Sequence, residues 1–98
     1  MSFIASSLFT LVSEKANRVR TERVYMLGSE RKVVVYLRHD NHISADAYVL
    51  EPHDAVWYDG DGEEHVERRE WLHVSHDSDV PMELLLARAY GALMCYRA

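Results

Sequence analysis

The sequence predicts an α+β domain, built as an antiparallel sheet of four or five strands with an N-terminal and a C-terminal helix packed on one face. Two observations predict this fold. Both ends of the chain carry apolar residues at helical spacing, whereas the middle consists of short extended runs separated by turn residues. Because these turns are short, neighbouring strands should pair as antiparallel hairpins. A length of 98 residues, 48% of them hydrophobic, supports a single domain over residues 1–98 with one modest core.

The N-terminal segment is predicted to form an amphipathic helix from about Ser2 to about Asn17. Four apolar residues recur there at helical spacing: Ile4, Leu8, Leu11 and Val12. No Lys or Arg precedes this apolar run, as it would in a signal peptide, and no window reaches the roughly 18 apolar residues of a membrane span. The lone cysteine, Cys95, excludes an intrachain disulfide and fits a reducing compartment. We therefore expect a soluble, cytoplasmic protein that does not contact membranes.

Three strands are predicted next, at Glu22–Leu27, Lys32–His39 and Ile43–Glu51. The second contains three consecutive valines and is apolar on both parities, which is typical of a central strand. In the third strand, one parity is apolar throughout, and Pro52 ends the strand because proline cannot donate to a ladder. The residues that share this parity are Ile43, Ala45, Ala47 and Val49.

The stretch Val56–Asp77 is predicted to be a hairpin with two Asp-Gly pairs at its tip. In the returning strand, Val66, Leu72 and Val74 share one parity, so Trp71 should face outward on the other. A C-terminal helix follows, with Asp79 as N-cap and Pro81 in the first turn. Its apolar rows are Leu85, Ala89, Leu93 and Leu86, Tyr90, Met94, and the apolar setting of Cys95 suggests a buried thiol near the helix end.

The Asp-Gly region also invites comparison with a calcium-binding EF-hand loop. Four acidic residues occupy loop positions one, three, five and twelve: Asp59, Asp61, Glu63 and Glu70. The sixth position, where that loop needs glycine, is Glu64, and the flanking segments are predicted strands rather than helices. A turn is therefore the favoured interpretation, and neither a metal nor a cofactor is predicted.

The histidines leave an alternative open. His73 and His76 are three residues apart on a predicted strand, so they should point to opposite faces unless the chain bends at Ser75. With such a bend, they could form with Asp77 a small metal-dependent or acid–base site. The sequence contains no HExxH, CxxC pair, GxSxG, P-loop or GxGxxG motif. We therefore predict that the protein is not an enzyme.

The distribution of charge is the most informative feature. Residues 1–38 carry seven Lys/Arg against three Glu, a net charge of +4. Residues 39–79 carry two Arg against twelve acids, a net charge of −10. Such an acidic field repels phosphate and attracts basic surfaces, which argues against direct binding of nucleic acid. The same charge on a solvated surface would simply aid solubility, and this alternative stays open.

These observations lead to the hypothesis of a small acidic, non-enzymatic protein-binding module that meets a basic protein surface. The candidate partner-binding residues are acidic or aromatic residues in and beside the predicted hairpin: Trp57, Asp59, Asp61, Glu63, Glu64, Glu67, Glu70 and Trp71. A homodimeric accessory protein is a further alternative, since two helices on one face would leave the other sheet face free.

In size, charge and lack of a catalytic motif, the chain resembles phage-encoded inhibitors of bacterial defence systems, including anti-CRISPR proteins, and immunity proteins that neutralise nuclease toxins. The resemblance rests on these general properties and assigns no residues. It implies an inhibitor of a basic partner that processes nucleic acid, such as a nucleic-acid-binding protein or a nuclease.

Overall fold

The structure is a computed structural model, and it describes residues 5–96. The elements, in chain order, are a 3-10 turn at Ala5–Leu8, β1 at Thr10–Ala16, β2 at Arg20–Met26, β3 at Arg31–Arg38, β4 at Ile43–Leu50, β5 at Ala55–Tyr58, β6 at Glu64–Glu67, β7 at Trp71–Ser78 and α1 at Met82–Cys95. Five strands form an antiparallel sheet in the order β1-β2-β3-β4-β7, and β5 pairs only with β6. The predicted α+β class and the sheet's antiparallel pairing are confirmed.

The centre of the sheet follows the hydrophobic pattern of the sequence. In β3, the three valines Val33–Val35 are all buried, as expected for a central strand. In β4, burial alternates strictly, with Ala45, Ala47 and Val49 buried. The predicted alternation in this strand is therefore confirmed, and it fixes which face of the sheet holds the core.

The helix α1 packs on that buried face, mainly across β4 and β7. Its inner side carries Leu85, Leu86, Ala89 and Leu93, which join the sheet residues in one core cluster. Each buried leucine contributes roughly 1.5–3 kcal/mol relative to an exposed one. We call this side of the sheet the helix face and the opposite side the open face. Within residues 5–96, no helix combines the length and hydrophobicity that crossing a membrane requires.

The predicted N-terminal helix is wrong. Residues 10–16 form the edge strand β1, and a single 3-10 turn precedes it, while residues 2–4 lie outside the described residues. Leu11 and Val12, taken as part of a buried stripe, are 48% and 56% exposed. Pairing with β2 satisfies the backbone groups on one edge of β1. The Asn17 side-chain oxygen accepts hydrogen bonds from the N–H groups of Val19 and Arg20, which closes a hairpin rather than a helix end.

The start of α1 also differs from the prediction. Pro81 occupies the N-cap position, and no side chain within residues 5–96 caps the helix. Asp79 has a positive φ of 61° and its carboxylate contacts the His42 ring at 2.9 Å, so it belongs to the turn before the helix. Cys95 is exposed rather than buried, because it lies on the outer side of the last helical turn.

The hairpin formed by β5 and β6 is inserted between β4 and β7 and stands apart from the sheet. The two strands contact each other and make almost no contact with the five-stranded sheet or with α1. The molecule is consequently elongated, with a radius of gyration of 16.6 Å, where a compact chain of this length would have about 13 Å. The predicted continuous strand through Trp71 is wrong, because residues 68–70 are irregular and β7 joins the other sheet.

Candidate functional site

The hairpin at residues 55–67 presents two different faces. Its register pairs Val56 with Val66 and Trp57 with His65. Because side chains alternate, Val56, Val66 and Tyr58 share one face, and all three are more than half exposed. On the other face the rings of Trp57 and His65 stack, with centroids 4.3 Å apart. The hairpin thus exposes a small apolar patch on one side and an indole on the other.

The tip of the hairpin is ordered by Asp59. One of its carboxylate oxygens accepts the backbone N–H groups of Asp61 and Glu63 at 2.9 and 3.0 Å, and the other lies 2.8 Å from His65 Nε2. The His65 contact, aided by these N–H groups, lowers the pKa of Asp59. Gly62 adopts a φ of +80°, as a tight Asp-Gly turn requires. The turn prediction for the Asp-Gly region is confirmed.

The charge of the hairpin is entirely acidic. Residues 55–67 contain five acids and no Lys or Arg, so their net charge of −5 equals that of the whole chain. Within the described residues, no hydrogen bond or ion pair involves the side chains of four of them: Asp61, Glu63, Glu64 and Glu67. Glu64 pairs with Tyr58 on the face of the apolar patch, Glu67 pairs with Ala55 on the Trp57 face, and Asp61 and Glu63 lie in the turn. Both faces and the tip therefore carry a carboxylate that is free to meet an external cation.

The structure brings together six of the eight candidate partner-binding residues in this hairpin. They are Trp57, Asp59, Asp61, Glu63, Glu64 and Glu67. The other two lie outside it. Glu70 sits at its base, where its N–H donates to a carboxylate oxygen of Glu51. Trp71 is half-buried on the open face of the sheet, with Lys32 Nζ 4.4 Å from its ring centroid.

A cleft of about 630 Å³ opens at the base of the hairpin. It is lined by Leu50, His53, Asp54, Arg68 and Arg69. Asp54 accepts the backbone N–H of Arg69 at 2.7 Å, and the Arg69 guanidinium reaches Glu30 at 3.5 Å. These contacts connect the base of the hairpin to the sheet, so the cleft belongs to the junction between the two.

Three possible metal ligands meet at the tip of the hairpin, and they are not the four residues of the calcium comparison. Asp59, Glu63 and His65 each offer a ligand atom, and these atoms lie within 4.8 Å of one another. Asp61 and Glu70, the other two residues of the calcium comparison, are not part of this group. The Asp59 carboxylate already accepts hydrogen bonds from the turn and from His65, so its position is explained without an ion.

A cluster of two histidines, His73 and His76, lies on the open face of the sheet. A β-bulge in β7 opposite Ala47 and Tyr48 shifts the alternation, so His73 and His76 point to the same side. Both rings reach one carboxylate oxygen of Asp46 at 2.8 Å. Asp77, the residue expected to join them, instead pairs with Arg88 at 2.9 Å, and this ion pair lowers its pKa.

The sequence predicted opposite faces for the two histidines unless the chain bent at Ser75, and it did not include Asp46 in the alternative site. In the sequence Asp46 is an isolated acid between two alanines, and only the cross-strand pairing of β4 with β7 places it opposite His76. The cluster has the composition of an acid–base site. Its histidine side chains are about half exposed at the surface.

Comparison with known proteins found no matching family model, no matching curated protein and no matching solved structure. The geometry and charge of the hairpin are therefore the features that indicate a function.

Proposed function

We propose that this protein is a small, non-enzymatic protein-binding module whose acidic hairpin docks on a basic surface of another protein. The observation that carries the proposal is the hairpin itself, which stands clear of the sheet and holds unpaired carboxylates around exposed apolar side chains. A free two-stranded hairpin is marginally stable in water, so its exposed apolar surface invites cover by a partner.

The arrangement matches the anatomy of a protein interface. Apolar and aromatic anchors belong in the centre of such a contact, and charged residues belong on its rim. In the hairpin, Val56, Tyr58 and Val66 supply the centre on one face. Glu64 lies beside them, and the carboxylates of Glu63 at the turn and Glu67 on the Trp57 face continue the charged rim. The stack of Trp57 on His65 limits the motion of the indole, which lowers the entropy lost when it anchors a partner.

The chemistry of the hairpin selects a basic partner. A local net charge of −5 without any Lys or Arg speeds encounter with a cationic surface and penalises an anionic one. The protein surfaces that carry such positive charge include those that hold nucleic acid. We therefore propose an inhibitor that covers the basic site of a nucleic-acid-binding protein or nuclease and competes there with phosphate.

The test compares two variants of the full chain that each raise the net charge by three. One neutralises the hairpin with Glu63→Gln, Glu64→Gln and Glu67→Gln. The matched control adds cations at exposed positions elsewhere with Ala16→Lys, Leu84→Lys and Met94→Lys. Proteins captured from the native host by the wild-type chain are identified by mass spectrometry, and the Kd of the purified partner is then measured for each variant.

We expect the captured partner to be basic and the hairpin variant to bind it at least about tenfold more weakly. The control variant should stay within about twofold of wild type, since its changes lie away from the docking surface. Circular dichroism and thermal unfolding verify that both variants fold. Equal weakening by both variants would show a non-specific charge effect, and unchanged binding by the hairpin variant would exclude the hairpin as the docking element.

A further inference from the structure

The chain carries a second unpaired surface, of opposite sign to the hairpin. Residues 1–38 hold seven Lys/Arg, and within the described part of the chain only Arg23 and Arg38 of these form ion pairs, with Glu14 and Asp40. The hairpin, conversely, holds carboxylates without a cationic partner. One molecule therefore displays two complementary surfaces that do not touch each other.

The open face of the sheet presents part of this positive charge in fixed positions. The Arg20 guanidinium carbon lies 4.2 Å from the centroid of Tyr36, and Lys32 Nζ lies 4.4 Å from that of Trp71 and 5.4 Å from that of Tyr48. Cation–π contacts of this kind hold the two cations against an aromatic platform and leave them partly exposed.

The acids of the open face compete little with an incoming carboxylate. Asp46 is occupied by His73 and His76, and its side chain is only 18% exposed. Glu22 is half-buried beside Tyr36, its cross-strand neighbour. The platform therefore combines aromatic surface with available positive charge, which is the complement of an apolar hairpin with an acidic rim.

We infer that two copies of this chain form a reciprocal dimer in which the acidic hairpin of each protomer lies on the open face of the other. The inference rests on the proposed function, because the same hairpin is the docking element. In the dimer the hairpin binds a second copy of the chain, and a basic partner then displaces that copy. The apolar patch of Val56, Tyr58 and Val66 would cover Tyr36 and Tyr48. Glu64 on the same face and the carboxylates of the tip would meet Arg20 and Lys32.

The topology suits such an exchange. The hairpin leaves the sheet where Leu50 pairs with Trp71, next to Lys32. A two-fold arrangement therefore lets both hairpins dock at once and closes the assembly at two copies. Each hairpin also gains the packing layer that it lacks in the monomer.

The test is a charge swap in the full chain. The hairpin-reversed variant carries Glu63→Lys, Glu64→Lys and Glu67→Lys, and the face-reversed variant carries Arg20→Glu and Lys32→Glu. Light scattering after size exclusion and native mass spectrometry give the oligomeric state. We expect a wild-type dimer that dissociates with added salt, monomers for each reversed variant alone, and a heterodimer when the two are mixed, since mixing restores both complementary contacts.

Three outcomes would overturn the inference: a wild-type chain that is monomeric at every concentration, a dimer that survives in either reversed variant, or a mixture that stays monomeric. If the face-reversed variant does not fold, Arg20→Gln with Lys32→Gln replaces it, and this variant must weaken the wild-type dimer. A monomeric wild type whose hairpin variant still loses the basic partner rejects the dimer and retains the proposed function. A dimer whose hairpin variant still captures the partner retains the dimer and rejects the proposed function.

Discussion

The body of the molecule and its hairpin use hydrophobic residues in opposite ways. In the sheet and helix, Val33, Val35, Leu85 and Leu93 are fully excluded from water. In residues 55–67 no side chain is buried, although valine, tryptophan and tyrosine are all present. The body therefore supplies the folding free energy, whereas the hairpin exposes apolar surface that contributes little to folding. The difference indicates that stability and recognition are assigned to separate parts of the chain.

The two regions should differ most in stability when one apolar side chain is removed from each. Leu93→Ala in the core should lower the free energy of unfolding by about 2–5 kcal/mol, because it leaves a cavity that cannot fully collapse. Val66→Ala in the hairpin should change the free energy of unfolding of the monomer, in which Val66 is 56% exposed, by less than about 0.5 kcal/mol. Urea unfolding followed by circular dichroism measures both. Leu84→Ala, 40% exposed on the same helix, is the control for helix propensity. Equal losses for Leu93 and Val66 would contradict the separation.

A smaller effect is expected at the hairpin tip. Gly62→Ala forces a residue with a Cβ into a φ of +80°, at a local cost of roughly 1–2 kcal/mol. Gly60 has no positive φ, so Gly60→Ala is the matched control. Amide hydrogen exchange should show loss of protection in the hairpin for the Gly62 variant and unchanged protection in β3 and β4 for both. Loss of protection across the sheet would mean that the hairpin and body unfold as one unit.

The smallest effect concerns pH. The pKa of Asp59 is lowered in the folded hairpin, first by the contact with His65. Its contribution to hairpin order is therefore present above the unfolded pKa of about 3.9 and lost as the pH falls through the lower, folded value. An NMR titration of the Asp61 and Glu63 amides should show this step, and Asp59→Asn, whose amide oxygen still accepts both N–H groups, should remove it. A step that persists in the Asn variant would assign the transition to another group.

Much of the fold could be predicted because periodicity and burial agree over β2 to β4 and α1. The strand Ile43–Glu51 alternates in sequence as it does in space, since its helix-facing positions have one neighbour, the core. The N-terminal segment misled because Ile4, Leu8, Leu11 and Val12 also fit a helical stripe. There the helix-like spacing marks an exposed edge strand, and the β-branched Thr10 and Val12 favour extended backbone in agreement with β1.

The candidate sites differ in whether neighbouring residues or distant strands form them. The acidic tip was predictable because turn chemistry at Asp59 and Gly62 is local. The convergence of His73 and His76 on Asp46 was not, because it depends on one extra residue in β7 opposite a distant strand. The place of Trp71 in the five-stranded sheet could not be predicted for a similar reason. No local signal in Arg68–Glu70 marks the place where the chain leaves one sheet and enters another.

The hairpin begins and ends at neighbouring points of the same ladder. Leu50 faces Trp71, and the Glu51 N–H donates to the Glu70 carbonyl at 3.0 Å. Because the two ends already meet, the intervening segment can be exchanged for a short turn, or for a hairpin of different charge, without moving a core residue. The sheet and helix thus form a scaffold in which the segment between Leu50 and Trp71 can be replaced. Related chains could acquire new partners by replacing some twenty consecutive residues.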